Sequence, residues 1–353
     1  MVKIAFTGDI MLARGVGKQI ETTPQNDIIS RDITKFLENF DYVVGNLECP
    51  VSSYANKVGI TSFKARPEHL TQLDKFHFLT VANNHIFDCG KQGAEDTIDI
   101  LERSGKTFGG LLREDNMPIA SLVNISDTTF NFFSCAVQYC VKDNNKESYP
   151  KIVSAEDPIL KESIGRSSRE YNYTIVIVHG GNEMIPYPEV SFRSLCESYI
   201  DAGADIVITH HPHVLGGIHQ YKNKSIFYSL GDFIFDGESY IRRRGMILSI
   251  TFDEGKINYN IHPTQIGKDL KVGFASKEIG KRIIRNFKEV SEILQNENKY
   301  KSQYKFRYVK SLIYFQADRF WFLLQNKGIF YLINFIFRKM KFVPFYFKKV
   351  FKK

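Results

Sequence analysis

A run of apolar, β-branched residues that ends in histidines, VITHHPHVLGG (207–217), is the stretch from which the fold can be worked out. His210, His211 and His213 follow one another within four positions, directly after the apolar residues. A solitary histidine beside such a run is usually a hydrogen-bonded structural residue. The stretch therefore predicts a binding site only if other strands end in residues of comparable chemistry.

Apolar, β-branched runs recur along the chain, and each is predicted to be a buried strand. Helical patterns separate several of them, at 32–40, 91–106 and 190–204, which predicts a layered α/β domain with right-handed crossovers. Two later runs, 224–236 and 245–267, have the pattern of antiparallel strands, the second with a hairpin turn at DEG. The first six runs are KIAFTGD (3–9), DYVVGNLE (41–48), FLTVANNH (78–85), TFNFFSCAV (129–137), YTIVIVHGG (173–181) and DIVITHHPH (205–213).

Five of the predicted strands end in residues that can bind a metal ion. Ligands gather beyond the carboxyl ends of strands in open α/β sheets, so these residues can meet although they are far apart in sequence. Carboxylates, amide oxygens and imidazoles without thiolates suit Mn²⁺, Fe or Zn²⁺, and their number is enough for one ion or two. The residues are Asp9; Asn46 and Glu48; Asn84, His85 and Asp88; His179 and Glu183; and His211 and His213.

Each of these residues also has a structural interpretation. Asp9 is a suitable turn residue or helix N-cap, Asn83–Asn84 a suitable Asx turn, and His179 a suitable core histidine bonded to a carbonyl. Turn preferences alone would have supplied Ser, Gly and Pro at these strand ends as often. The coincidence of ligand-type residues at five strand ends therefore favours a shared site.

Seven motifs that occur in order within residues 3–267 resemble those of the CapA family of bacterial capsule-synthesis and poly-γ-glutamate proteins. The resemblance implies an α/β fold, a four-layer α-β-β-α metallophosphoesterase-like sandwich with a metal centre at the strand ends. It also implies a role in making or exporting an extracellular polymer. The motifs are GDIMLARG, VVGNLECPVS, FKARPE, VANNHIFDCGKQG, VHGGNE, AGADIVITHHPHVLGGI and IFYSLGDFIFD.

The resemblance also assigns roles to residues of this chain. His85 becomes the acid or phosphate-contacting histidine, and His179 a second candidate for proton transfer. Metallophosphoesterases generally have Asp-x-His at the end of the first strand, whereas this chain has Met11, which weakens one metal position. The family usually has Asn where this chain has Asp232, and a Trp where it has Gly180. The implied metal neighbours are Asp9, Glu48, Asn84, His179, His211 and His213, with Asn46 as an alternative near Glu48, while His210 is structural or lies behind the ligands.

Several charged residues are candidates for binding an anionic substrate. Arginine forks match carboxylate and phosphate oxygens, and Arg14 lies five residues after Asp9 at the predicted start of a helix. Lys64 and Arg66 are equally well explained as solvated surface charges. The predicted substrate-binding residues are Arg14, Lys64, Glu183 and Asp232, and Arg14 is also counted with the catalytic residues His85 and His179.

The positive charge of the chain is concentrated near its carboxyl end. The net charge is +8, but residues 301–353 carry +12 and residues 1–300 carry −4. The segment 320–353 is interrupted too often for a membrane span, which needs about 20 predominantly apolar residues. It fits amphipathic helices at an anionic membrane surface, and equally a helical appendage that packs on the main domain. Nucleic acid is disfavoured, since no recognised binding motif accompanies the charge.

The sequence changes character near Ala275, where a helical pattern with one apolar face begins (276–299). We therefore predict a CapA-like domain at 1–270 and a basic, aromatic-rich helical extension at 271–353. The chain opens directly into a strand pattern, and its five scattered cysteines favour a reducing compartment. The predicted location is the cytoplasm, or the inner face of the membrane as a peripheral protein.

Three functions remain open from the sequence. The first is a metal-dependent hydrolase of capsule or extracellular polymer synthesis, acting on an anionic polymer or a phosphoester. The second is a non-catalytic partner that binds the polymer in the same cleft for a synthase or exporter. The third is a membrane-surface recruitment protein that works through its carboxyl-terminal segment.

Overall fold

The computed structural model describes residues 1–22, 27–53, 56, 62–112, 114, 119–140 and 150–340. Within these residues the helices are α1 (Arg14–Thr22), α2 (Arg31–Leu37), α3 (Gly90–Arg103), α4 (Pro158–Glu170), α5 (Val190–Ala202), α6 (Lys277–Gln295), α7 (Glu297–Lys327) and α8 (Ile329–Met340), with a 3₁₀ helix at Pro67–Leu73. The strands are β1 (Val2–Ile10), β2 (Tyr42–Leu47), β3 (Phe78–Thr80), β4 (Thr107–Gly109), β5 (Leu111–Leu112), β6 (Ala120–Ile125), β7 (Thr128–Ala136), β8 (Lys151–Ile152), β9 (Tyr173–His179), β10 (Ile206–His210), β11 (Ile218–Tyr221), β12 (Lys224–Phe227), β13 (Asp232–Ile234), β14 (Arg244–Asp253), β15 (Lys256–Ile266) and β16 (Val272–Phe274).

Two large sheets contain most of the strands. The first has the order β16-β15-β14-β1-β2-β3-β4, with β13 also paired to β1. The second has the order β11-β12-β10-β9-β7-β6. In both sheets the central strands are parallel, so their carboxyl ends lie at one edge. β5 and β8 form a separate small ribbon.

The two sheets pack face to face, and helices cover both outer faces. Alternate residues of β1 show this arrangement, because Ile4 and Phe6 point into the core between the sheets whereas Ala5 points to the outer core. Such alternation follows from the period of two in a strand. In β9, Ile177 enters the central core and Val176 the other outer core.

The outer helices complete four layers. α1, α2 and α3 cover the first sheet, and α4 and α5 cover the second. α6 packs against β11 of the second sheet and β15 of the first. Each helix buries an apolar face, which includes Ile98 in α3 and Leu160 in α4. Full burial of one such side chain stabilises the fold by about 1.5–3 kcal/mol. The expected four-layer α-β-β-α sandwich with carboxyl-terminal helices is thus confirmed.

The strand predictions agree with the structure except in one region. The six apolar runs correspond to β1, β2, β3, β7, β9 and β10, although β3 is only three residues long. The expectation that 224–236 is simply antiparallel is wrong, because β13 runs parallel to β1. The chain between β12 and β13 crosses from the second sheet to the first. β13 therefore pairs with β1 in parallel and does not continue an antiparallel pair with its neighbours in sequence. The hairpin of β14 and β15 is confirmed, and Glu254 and Gly255 take the positive φ angles (43° and 80°) that such a turn requires.

The carboxyl-terminal helices lie against the sandwich. α6 contributes Phe287 to the central core and Leu294 to the outer core. α7 and α8 enclose a small apolar cluster of Phe322, Leu323 and Leu332. The division at residue 270 stays a prediction, and β16 lies beyond it and pairs with β15. No helix among the described residues is long and apolar enough to cross a membrane, and the tail residues 341–353 lie outside the described part.

Candidate metal centre

The carboxyl ends of strands from both sheets meet at one place and bring the expected ligands together. In the first sheet Asp9 pairs in register with Asn46 and with Asp232. In the second sheet His179 pairs with His210 at the last position of each strand. The parallel strand order therefore gathers residues that are more than two hundred positions apart.

One group of possible ligands consists of Asp9, His213 and Asp232. All three are buried, and each offers an atom within 4.8 Å of the others. His213 Nδ1 lies 2.8 Å from Asp232 Oδ1 and 3.2 Å from Asp9 Oδ2. Two carboxylates and one imidazole form a suitable donor set for a divalent cation.

The second group consists of Glu48, His179 and His211, which are also buried and within 4.8 Å of one another. His211 Nδ1 lies 3.1 Å from His179 Nε2. Asn84 extends the group, since its Oδ1 is 2.9 Å from the same nitrogen. Glu48 Oε1 lies 3.5 Å from His213 Nε2, so the two groups adjoin.

Unsatisfied oxygen atoms show that these residues fit a cation. Asp9 Oδ2, Asn46 Oδ1 and Glu48 Oε1 are buried and accept no hydrogen bond from any residue that the structure describes. Asn46 Nδ2 meanwhile donates to Asp9 Oδ1 at 2.8 Å, which places the amide between the two groups. Buried polar atoms without partners cost about 1–3 kcal/mol each. A divalent ion would satisfy several of them at once.

The electrostatics of His179 and His211 are consistent with metal ligation. Burial, reinforced by the neighbouring imidazoles, lowers the pKa of His179 well below its ordinary value and that of His211 to about 4. Both rings are therefore neutral near pH 7 and have a free lone pair. Burial opposes charge on His213 as well, but the carboxylates of Glu48 and Asp232 outweigh it and hold its pKa well above the ordinary value.

The two carboxylates respond differently to the same burial. Burial tends to raise the pKa of Asp9, but the hydrogen bond with His210 and the nearby His213 imidazole prevail and hold it well below the usual range. For Glu48 burial prevails, and its pKa is well above the usual range. His210, whose Nδ1 lies 2.9 Å from Asp9 Oδ1, thus stabilises a charged ligand from behind.

The backbone around the histidines is strained in a way typical of functional sites. His211 and His213 have φ angles of 99° and 58°, a region that non-glycine residues seldom occupy. The pairing of β1 also shifts register between Asp9 and Ile10. Such conformations persist where the surrounding structure imposes them. They turn both imidazoles toward the strand ends.

His85 lies at the edge of the two groups. Its Nδ1 is 2.7 Å from Asp88 Oδ2, and its ring stacks on Phe63 with centroids 4.0 Å apart. Its Nε2 is 3.9 Å from Glu48 Oε1. A carboxylate on one ring nitrogen orients the other toward the site, as a proton-transferring histidine requires.

Of the four predicted substrate-binding residues, only Asp232 belongs to one of the ligand groups. Arg14 lies at the rim, where its Nη2 is 3.0 Å from Asp236 Oδ1 and its guanidinium faces the Phe63 ring. Lys64 is half-buried and follows Phe63 in the chain, and Glu183 is exposed. The two ligand groups found among the described residues include neither Lys64 nor Glu183, but they do include Asp232.

The sequence patterns did not identify Arg242 as a residue of the site, whereas they did identify Met11 as a departure from the usual Asp-x-His. Arg242 donates from Nε to Asp232 Oδ2 at 3.1 Å, and only the run of three arginines at 242–244 could have drawn attention to it. Met11 is buried, and its sulfur accepts a hydrogen bond from Ala13 N at 3.1 Å. The thioether is thereby engaged by the backbone, and Asp232 completes the ligand group with Asp9 and His213 instead.

Comparisons with known proteins can be set beside this geometry. The Capsule biosynthesis protein CapA of Bacillus anthracis is 31% identical over 247 residues, which cover 66% of this chain and 59% of that protein. The chain thus spans about three fifths of that relative. The PGA biosynthesis protein CapA of Bacillus subtilis (strain 168) is 30% identical over 260 residues, covering 70% of this chain and 67% of the relative.

Similar solved structures include a putative 5′-nucleotidase from Staphylococcus aureus, with 15% identity, a TM-score of 0.49 and coverage of 81% of this chain and 58% of that one. Another is the calcineurin-like phosphoesterase YfkN from Bacillus subtilis, with 13% identity, a TM-score of 0.43 and coverage of 82% and 96%. The family model described as "Bacterial capsule synthesis protein PGA_cap" matches residues 3–237, which include every member of both ligand groups. The chain belongs to this family of bacterial capsule synthesis proteins.

Proposed function

We propose that the protein is a metal-dependent hydrolase that acts on an anionic polymer or a phosphoester during capsule synthesis. The observation that carries the proposal is the pair of adjoining ligand groups, linked by the 3.5 Å contact between Glu48 and His213. Imidazole, carboxylate and amide donors favour Mn²⁺, Fe or Zn²⁺. Such an ion supplies Lewis-acid polarisation of a phosphoryl or acyl oxygen.

The residues around the ligand groups are suited to the remaining tasks. His85, oriented by Asp88, is the proton donor to a leaving group or the acceptor from water. Arg14, half-exposed and facing the Phe63 ring, binds a negative charge of the substrate at the rim. His179 has a lone pair for a cation because its ring is neutral, so ligation suits it better than proton transfer.

The test is metal analysis of the purified protein, followed by a screen of phosphomonoesters, phosphodiesters and γ-glutamyl peptides. His85→Asn should retain metal and lose most turnover, whereas His262→Asn, a half-buried histidine that lies 2.8 Å from Ser249 Oγ, should change neither. A protein that holds metal and binds the polymer but hydrolyses none of these compounds would instead be a binding partner of a synthase or exporter.

We also propose that α7 and α8 attach the protein to an anionic membrane surface at the inner face of the membrane. Phe306, Ile313 and Trp321 are 70%, 66% and 56% exposed on α7, which is unusual for such large apolar side chains. Asp318, which is the sole acid of residues 301–353, accepts a hydrogen bond from Ile241 N and points inward. The outward face thus combines aromatic side chains with basic ones.

Sedimentation with lipid vesicles tests the attachment. The full chain should bind vesicles that contain anionic lipid and leave them as salt rises, because surface attraction is screened within a Debye length. Phe306→Ser combined with Ile313→Ser should weaken binding, while Leu122→Ser, at an exposed apolar residue of β6, should not. Indifference of the wild type to anionic vesicles at every salt concentration would refute the proposal.

A further inference from the structure

Arg242 lies beside the ligand group of Asp9, His213 and Asp232, in the turn before β14. Its Nε donates to one oxygen of Asp232 at 3.1 Å, and the other oxygen lies 2.8 Å from His213 Nδ1. Only the Asp232 carboxylate therefore separates the guanidinium from the place where Asp9, His213 and Asp232 can hold a cation.

The packing fixes this side chain and leaves one of its nitrogens unsatisfied. Cζ lies 4.5 Å from the centre of the Phe235 ring, and the side chain is 17% exposed. Gly237 leaves the space that Arg242 occupies, since a Cβ there would be 2.8 Å from Arg242 Cβ. Arg242 Nη2 is buried and donates to no residue that the structure describes. A guanidinium nitrogen in this position favours an additional acceptor.

The charges of the site indicate what that acceptor is. Arg242 and a cation beside it would share the Asp232 carboxylate as their counter-charge. A further anion is favourable there because it attracts both positive groups.

We infer that Arg242 binds an anionic oxygen of the substrate, phosphoryl or carboxylate, next to the metal centre. The inference rests on the proposed function and adds a binding residue to it. A guanidinium fork matches both kinds of oxyanion, which is why the structure assigns the shared chemistry rather than one compound.

Arg14, which pairs with Asp236, places a second guanidinium further out on this surface. The Phe63 ring lies 6.0 Å from Phe235, and Arg14 Cζ is 5.2 Å from the centre of Phe63. Arg14 is 46% exposed, whereas Arg242 is 17% exposed. Arg242 therefore takes the oxygen nearest the metal, and Arg14 a second charged group of the same ligand. A substrate with repeated negative charges uses both residues.

Calorimetric titration of the metal-loaded full chain tests the assignment with two probes, inorganic phosphate and a γ-glutamyl-glutamate dipeptide. Arg242→Gln should weaken binding by about 10- to 100-fold, the usual effect of losing a charged hydrogen bond, with metal content unchanged. Gly237→Ala keeps the arginine but should weaken binding in the same direction, because the added methyl displaces Arg242. Arg166→Gln, an exposed arginine of α4, is the matched control and should bind as the wild type does.

The outcomes separate the possible errors. Weakening for phosphate alone supports a phosphoryl ligand, and weakening for the dipeptide alone supports a carboxylate ligand. Unchanged affinities in Arg242→Gln, or a wild type that binds neither probe, would overturn the inference. Loss of metal in parallel with affinity would overturn it too, since Arg242 would then only orient Asp232. Because binding is measured instead of turnover, a protein that binds anions through Arg242 but hydrolyses nothing refutes only the proposed hydrolase.

Discussion

Replacing Glu48 by Gln should have opposite effects on stability with and without metal. Glu48 is fully buried, its Oε1 accepts no hydrogen bond from the described residues, and burial raises its pKa well above the usual range. In the presence of a chelator, the amide keeps the size of the side chain and removes a group that is costly to ionise. We therefore expect Glu48→Gln to be as stable as the wild type, or more stable, when metal is absent.

With metal present the order should reverse. An ion at one hundred times its dissociation constant stabilises the wild type by about 2.7 kcal/mol. Loss of a carboxylate ligand that weakens binding tenfold reduces this gain to about 1.4 kcal/mol at the same ion concentration. For 353 residues the entropy of unfolding is about 0.74 kcal/mol/K, so the metal-induced rise in Tm should fall from about 4 °C to about 2 °C.

Scanning calorimetry in chelator and in excess Mn²⁺ measures the stability of the metal-free protein and the metal-induced rise in Tm. Glu197→Gln is the control, because it removes the ion pair with Arg193 on α5 and should lower Tm equally in the two conditions. Equal metal-induced rises in Glu48→Gln and the wild type would refute the reasoning and make Glu48 a structural residue.

Three further outcomes test other parts of the structure. His211→Ala and, separately, His213→Ala should lose bound metal by elemental analysis while retaining wild-type circular dichroism, and full metal content in both would remove them from the ligand groups. Asp9→Asn keeps size but loses charge, so it should also lower metal content; a variant that keeps its metal and only melts earlier would contradict this. Burial and the Arg193 guanidinium lower the pKa of His219 to about 4, below its ordinary value of 6.5, so stability is lost as pH falls from 6.5 toward 4. This loss is about 2 kcal/mol at pH 5, and denaturant unfolding should show that His219→Gln loses less between pH 7.5 and 5; parallel curves would contradict the assignment.

The strand ends could be read from the sequence because two simple regularities coincide there. Long apolar, β-branched runs are distinctive, and parallel strands bring their carboxyl ends to one edge, which was enough to group Asp9 with His179 and His213. The crossing between the sheets at 228–231 could not be read, because β12 and β13 resemble a single antiparallel region. The role of Arg242 was hidden for the same reason, since its contact with Asp232 exists only when β13 lies beside β1.

Local pairing also decides what a histidine does, and the sequence does not show it. His210 and His211 are adjacent, yet one lies against Asp9 and the other against His179. In a regular strand, adjacent side chains point to opposite faces of the sheet. The positive φ of His211 departs from that geometry, and both side chains reach the site.

The position of β1 in the middle of its sheet has a consequence for how the protein is made. Val2 pairs antiparallel with Phe252, a residue that is synthesised 250 positions later. Until then β1 has an open edge toward β14, of the kind that pairs readily with other chains. The ligands extend from Asp9 to Asp232, so metal cannot fold the early half of the nascent chain by binding to a finished site. We expect folding of this chain to be slow, because contacts between residues distant in sequence dominate it. We also expect the nascent chain to depend on chaperones until β14 has been synthesised.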